Sequence, residues 1–281
     1  MVKSSASLGL FCYNQERYVK DSLLSALAQD YEPLEIIFSD DCSTDRSFEI
    51  AKEIQDNYTG RHRLIVRRND ENIGIIRHVK SVIAISSGDI FFCAAADDIS
   101  LANRVSSCMA VFSKNEDVVA VHSKLTVIDD QGIVQGAWAG PSTNDKHSVI
   151  KEAFGYSPLI VGASMCFRKM LIDSFREIDN SCWAEDKVVS FRALLMGKVI
   201  QLPDSLVLYR RDVGVSSSNS LSKLSGKIKF MRDFAITVQK SNDLLHLHRY
   251  DMLLVVWSGF LYRNFKIVCL SIFSKLSRVF N

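Results

Sequence analysis

Short apolar runs alternate with amphipathic stretches along the first 128 residues, and that alternation predicts most of the elements before any chemistry is considered. Ser7–Cys12, Leu34–Ser39, Leu64–Arg67 and Ile90–Ala94 are apolar or β-branched runs of strand length. Tyr18–Gln29, Thr44–Tyr58, Ile76–Ile85 and Leu101–Phe112 carry apolar residues at helical spacing. Strand and helix in alternation predict βαβ units with right-handed crossovers, hence an α/β fold around a mostly parallel sheet. Val118–Ser123 and Leu125–Ile128 read as two further strands, ahead of the turn Asp129-Asp130-Gln131-Gly132. Beyond it the pattern loosens. Gly136–His147 reads as a loop, Ala163–Phe167 as a strand, and a helix is expected after Arg168. Trp183–Met196 reads as a helix, Val199–Gln201 and Leu206–Tyr209 as strands, and the Ser-rich Val213–Ser225 as a loop.

Two of the predicted strands end alike. Ile36-Ile37-Phe38-Ser39 runs into Asp40-Asp41-Cys42-Ser43-Thr44-Asp45, and Ile90–Ala96 runs into Asp97-Asp98. A strand that ends in carboxylates and turns into a helix puts them at the carboxyl edge of a parallel sheet, where open α/β folds bind ligands. One such pair alone reads as helix-capping chemistry. Two in one half of the chain read as a site.

Composition narrows the class. The 281 residues are 47% hydrophobic and 23% charged, as in a globular protein with one large core. The seven Cys include no C-x-x-C pair, which argues against a disulfide framework or a structural zinc and fits a reducing cytoplasm. No basic segment followed by an apolar one opens the chain, and no apolar run reaches the roughly 18 residues that would span a bilayer. The net charge of +2 is unevenly spread: from Arg249 onward five basic residues face Asp251 alone. That pattern argues against a broad nucleic-acid-binding face and marks a basic C-terminal segment. There is no G-x-G-x-x-G after the first strand, no P-loop, no G-x-S-x-G elbow and no H-E-x-x-H pair. A site that offers carboxylates to a polyanionic nucleotide needs a divalent cation between them, and Mg2+ or Mn2+ suits that role.

Six motifs then carry a resemblance. Phe11-Cys12-Tyr13-Asn14, Ser25–Gln29, Leu34-Glu35-Ile36-Ile37, Asp40–Asp45, Asn72-Ile73-Gly74 and Gly88-Asp89 stand in the order and spacing of family 2 glycosyltransferases with the GT-A fold. The nearest look-alikes are bacterial enzymes of O-antigen or capsule assembly, and the match runs from about Ser7 to Arg211. The resemblance implies that Tyr13 and Asn14 border the nucleotide, Tyr13 stacking on the base, and that Asp41 accepts a hydrogen bond from the base ring while Asp40 is structural. It implies that Asn72 and Gly74 form a turn into a helix beside the diphosphate. Arg77 on that helix fits a phosphate contact and a solvated face equally well.

At the second acidic end relatives read D-x-D-D, and here Ala95 replaces the first Asp. Asp97 is the implied ligand of Mg2+ or Mn2+, and Asp212, where relatives carry a His, is a substitute oxygen ligand. Without a metal, Arg77, Arg210 or Arg211 would have to stabilise the diphosphate. Asp186 in Ala184-Glu185-Asp186-Lys187 aligns with the catalytic base, with Glu185 and Trp183 on the acceptor side; Trp183 and Phe191 fit a sugar-binding wall as well as a core.

The implied function is an inverting glycosyltransferase of hexosyl type. It would move a sugar from a UDP- or dTDP-sugar donor to a saccharide acceptor that is lipid-linked at the cytoplasmic membrane face. Two other classes stay open. One is an impaired nucleotide-sugar-binding homologue, because of Ala95. The other is a sugar nucleotidyltransferase, which would want a Gly-rich loop where Leu10–Arg17 has no Gly. Residues 1–215 form the expected catalytic domain, with a nucleotide-sugar half (1–123) and an acceptor half (124–215). Residues 216–281 form a helical extension that contacts membrane or a second subunit. There Phe265, Val268, Cys269, Ile272, Leu276 and Val279 share one helical face, opposite Arg263, Lys266, Lys275 and Arg278. The apolar run Met252–Trp257 before it is expected to pack into protein. His122 is expected in the core, and His62, His246 and His248 at the surface.

Overall fold

The computed structural model describes residues 4–138, 148–156, 160–211, 213 and 224–277, with side chains in the last helix as far as Lys266. Asp212, the calls on 139–147 and 214–223, and the tail side chains from Val268 onward lie outside the described residues.

Strands β1 (Ala6–Cys12), β2 (Leu34–Asp40), β3 (Arg63–Arg68) and β4 (Ile90–Ala95) pair in parallel in the order β3-β2-β1-β4. Helices α1 (Val19–Leu27), α2 (Ser47–Asn57) and α3 (Gly74–Ile85) make the crossovers. The strands read as unbroken apolar runs because both faces are covered. Leu8, Leu10, Ile36, Phe38, Ile90 and Phe92 pack into one core, with Val19, Leu23 and Val105. Ile37, Phe91 and Cys93 point the other way and pack with Val79, Val82 and Ile83 of α3.

The second half continues the same sheet. It contains β5 (Ile99–Ser100), α4 (Arg104–Lys114), β6 (Val118–Ile128), β7 (Val134–Ala137), α5 (Val149–Phe154), β8 (Met165–Arg168), α6 (Met170–Asp173), α7 (Glu185–Met196) and β9 (Lys198–Arg210). β8 runs antiparallel between β4 and β6, β9 is parallel to β6, and β5 closes the far edge, so the sheet is parallel at first and mixed beyond β4.

Several boundaries differ from the sequence reading. The two strands expected over 118–128 are one, with its register shifted at His122/Lys124 and Lys124/Leu125. The two expected over 199–209 are likewise the single β9, which continues through Pro203 and Asp204. Residues 163 and 164 belong to a 3-10 turn rather than a strand, and Gly136 and Ala137 extend β7 into the expected loop. His62 is buried, not at the surface: its Nε2 lies 2.9 Å from the carbonyl oxygen of Gln29. His122 is buried as expected.

Helices α8 (Gly226–His246) and α9 (Leu253–Ser277) form the extension. Asp243 of α8 takes both Nε and Nη2 of Arg192 on α7 at 2.9 Å, with both side chains buried. Lys240 reaches Glu152 of α5 at 3.0 Å. On α9, Arg263 and Asn264 hold Asp233 at 2.8 and 2.9 Å, and Val256 and Phe260 are buried. Within the run Met252–Trp257, Leu254 is instead exposed. Among the described residues no helix is long and apolar enough to cross a membrane.

Candidate active site

Asp40, fully buried at the end of β2, is committed to the fold. It accepts from the N–H (2.8 Å) and the hydroxyl of Ser43, and Arg68 lies 3.4 Å away. Asp41 has a different task. Its Oδ1 accepts from Asn69 Nδ2 (2.7 Å) and Ile73 N (3.0 Å), and its Oδ2 from Gly74 N (3.0 Å). The carboxylate therefore ties the Asn72-Ile73-Gly74 turn to the end of β2, and Asn72 Oδ1 closes the turn on Gly74 N at 3.2 Å. Gly74 has φ +75°, the left-handed region that glycine enters without a Cβ clash, and it opens α3. A carboxylate offers about four lone-pair positions. Three are used here, which leaves Oδ2 one acceptor position for a further donor.

A buried network supports this group from below. His78 Nε2 lies 2.7 Å from Ser39 Oγ, and Arg67 donates to Ser39 Oγ (2.8 Å) and Ser81 Oγ (3.0 Å). Burial pushes His78 down to about 4, against the pull of Asp41, so the imidazole is neutral at pH 7. Phe11 packs edge-on against its ring at 5.3 Å. Asn14, with φ +54°, straps the β1 loop to the β2 loop: its N–H donates to Ser43 Oγ and its Oδ1 accepts from Thr44 N, both at 2.8 Å. Tyr13 beside it is half-buried, and Arg77 is exposed on α3.

The second acidic pair follows β4. Asp97 and Asp98 are both buried. Asp98 Oδ1 accepts from Arg210 N at 2.8 Å, while its Oδ2 has no hydrogen-bond partner among the described residues. Gln15 donates its side-chain amide to Asp97, and its own N–H is fixed by Ser47 Oγ at 2.8 Å. Burial raises both carboxyls, Asp97 to about 6 and Asp98 well above the usual range, the latter helped by the charge of Asp97.

Arg210 is buried and bonded into the neighbouring loops. Its Nε donates to Asp97 O (3.0 Å), its Nη1 to Asp129 O (2.8 Å) and Asp130 O (3.0 Å), and its guanidinium lies 4.5 Å from the Tyr18 ring centre. Backbone carbonyls take Nε and Nη1, which leaves only Nη2 of this buried side chain for the diphosphate contact named as an alternative to a metal. Two adjacent carboxyls held up by desolvation, one with an unpartnered oxygen, suit a divalent cation. No group of three acidic, His or Cys ligands exists among the described residues, so most of such a cation's ligands would come from phosphate and water.

Glu185 and Asp186 open α7 opposite the 3-10 turn Gly162–Ser164. Asp186 Oδ2 accepts from Gly162 N at 3.3 Å. A Cβ at Gly162 would stand 3.1 Å from Glu185 Oε1, so this close approach favours a residue without a side chain. Burial pushes Glu185 up to about 8, with the charge of Asp186 adding; Asp186 is also raised by burial, against Lys187. Both carboxyls help burial to raise the Cys93 thiol of β4, and Asp97 does the same to Cys12 of β1; the 3-10 turn beside Asp186 itself packs on β4.

Trp183 packs with Ile76, Val188 and Ile236, with Lys187 and Arg232 over its ring at 5.9 and 5.0 Å. Phe191 is pure core, fully buried with Leu244 and Val256, so its reading as a sugar-binding wall is corrected. Gln15, Asn69, His78 and Gly162 are components that sequence reasoning missed. Each is a residue type common at any loop or helix, and only the tertiary contacts mark it.

Comparison with known proteins completes the picture. Residues 7–175 match the family model described as Glycosyl transferase family 2. An uncharacterized glycosyltransferase of Nostoc sp. is 26% identical over 242 residues, covering 83% of this chain and 73% of that protein. Staphylococcus aureus TarS, solved with UDP-GlcNAc, aligns at TM-score 0.65 and 18% identity, over 91% of this chain and 72% of that one. The mannosyltransferase PcManGT of Pyrobaculum calidifontis, solved with GDP-Man and Mn2+, aligns at TM-score 0.58 and 13% identity, over 98% of this chain and 81% of that one. The fold is thus of the GT-A type.

Proposed function

The chain belongs to glycosyl transferase family 2, and from that premise we propose that it is an inverting hexosyltransferase acting on a nucleotide-sugar donor and a saccharide acceptor. The observation that carries the reading is the pairing of Asp186 with Gly162 N, which sets an ionisable carboxylate at the 3-10 turn that packs on β4, the strand that leads into Asp97. The nucleotide sits at the ends of β1 and β2, with Tyr13 against the base and Asp41 Oδ2 accepting the imide N–H of a uracil or thymine. Asn14 and Asn72 keep the two loops and the α3 turn in place for it.

Asp97, with Gln15 holding it, and Asp212 would bind Mg2+ or Mn2+. When bound, the cation neutralises charge developing on the departing diphosphate. The Mn2+ bound by PcManGT supports this assignment by analogy. Asp186 removes the proton from the acceptor hydroxyl, which attacks the anomeric carbon from the face opposite the leaving group. Glu185 keeps its proton at pH 7; it also borders the acceptor, with Trp183 behind it.

Residues 1–215 serve as the catalytic domain and 216–281 as its helical extension. The acceptor is a growing lipid-linked oligosaccharide of a cell-surface polysaccharide, O-antigen or capsule, and the basic tail of α9 meets the inner face of the membrane. Ala95 supports a second reading, a homologue that binds nucleotide sugar without turnover. Thermal-shift screening of UDP-, dTDP- and GDP-sugars with Mn2+, followed by assay of nucleoside diphosphate release, separates the two. Stabilisation together with release supports the enzyme, stabilisation alone supports the binding module, and the absence of both overturns both readings.

A further inference from the structure

Helices α8 and α9 expose large apolar side chains around a joined aromatic cluster, and the catalytic reading leaves them without a task. On α8, Phe230 and Phe234 stack at 6.3 Å, and each also packs on Phe260 of α9; Trp257 joins them at 6.0 Å from Phe234. The cluster is closed below by buried Phe260 and open above. Met231 is 59% exposed, Leu254 79%, Leu261 65% and Phe265 71%, with Ile228, Phe230 and Phe234 also exposed. Leu254, Leu261 and Phe265 are spaced to lie along one side of α9. Side chains of this size scattered singly need no explanation, but a joined set of them does.

The charges around the surface identify its partner. From Gly226 to Asn281 the sequence has nine Lys or Arg and three Asp. Each of the three Asp is already paired: Asp233 with Arg263, Asp243 with Arg192, and Asp251 with Arg249. Lys227 and Lys229 in the first turn of α8, and Lys266 on α9, therefore border the apolar surface with no ion pair of their own among the described residues. A second copy of the chain docked by a two-fold axis would set this cationic border against itself. An anionic bilayer supplies the opposite charge and an apolar depth for the aromatics.

We propose that the α8–α9 face, centred on Phe230, Phe234, Trp257, Leu254 and Leu261, seats the protein on an anionic phospholipid surface. It involves residues upstream of the tail segment discussed above, and it stands whether or not the chain transfers sugar.

Co-sedimentation of the full chain with phosphatidylcholine vesicles, with and without phosphatidylglycerol, tests it. The wild type should bind the anionic vesicles and release them as salt rises. Met231→Ser/Leu254→Ser/Leu261→Ser and, separately, Lys227→Glu/Lys229→Glu should each weaken binding by roughly tenfold or more while keeping the wild-type melting temperature. Lys227, Met231, Leu254 and Leu261 are exposed and Lys229 is half-buried, which is why folding should survive, and a melting curve on each variant checks it. Three results overturn the proposal. They are a wild type that ignores anionic vesicles, two variants that both bind as well as wild type and so leave only the tail, and an apolar triple variant that turns a dimer into a monomer, which would make this face a subunit contact.

Discussion

Asp97 and Glu185 are both carboxyls that burial raises, and they lead to different experiments. If Asp97 holds the cation, Asp97→Ala should remove the part of donor binding that depends on Mn2+, measured by calorimetry with and without EDTA. Donor binding by the wild type that is indifferent to EDTA would mean that Ala95 marks a lost metal site. Glu185 titrates near 8 in the fold and near 4.5 unfolded. Between those values the native state holds a proton that the unfolded chain has released, so stability falls as pH rises from about 4.5 to 8. Glu185→Gln should flatten that slope in melting temperature against pH. A slope unchanged in the variant would place the titration elsewhere. At this scale the sequence was informative about which residues are acidic and where strands end. It was silent on partners: Asp40 and Asp41 are adjacent and chemically identical, yet one is enclosed by Ser43 and Arg68 while the other braces a turn.

The elements of the first half were legible because doubly covered parallel strands leave unbroken apolar runs, bounded by helices with a clear period. In the second half, β6 and β9 were each read as two strands because polar residues interrupt them, at Ser123-Lys124 and at Pro203-Asp204-Ser205. Pairing between the two long strands carries both through the interruption. Helix α7 presents the acidic pair at its first turn and is held at its middle by Arg192, whose guanidinium meets Asp243 of α8 with both groups buried. Removing one partner leaves an unpaired buried charge, so Arg192→Met should cost about 3–5 kcal/mol in urea unfolding. The double change Arg192→Met/Asp243→Leu should recover much of that loss. Equal loss in both variants would show that the pair contributes packing rather than charge.

Across the whole molecule, the C-terminal helices are fastened to the catalytic half by Arg192–Asp243, Lys240–Glu152 and the hydroxyl contact between Tyr156 and Tyr262. Deleting residues 262–281 removes Tyr262 and the Arg263 and Asn264 contacts to Asp233 along with the basic tail. That deletion should therefore lower the melting temperature as well as vesicle binding; an unchanged melting temperature would contradict the fastening described.

The central claim is that a family 2 fold turns over nucleotide sugar with Asp186 as its base. Its most direct test measures nucleoside diphosphate release by wild type and Asp186→Asn, with the donor that stabilises the protein most and with donor Kd measured alongside. Release should fall by roughly a hundredfold or more while Kd stays within about twofold, because the residue acts on the acceptor proton and not on the donor. Near-normal release by Asp186→Asn would contradict the account.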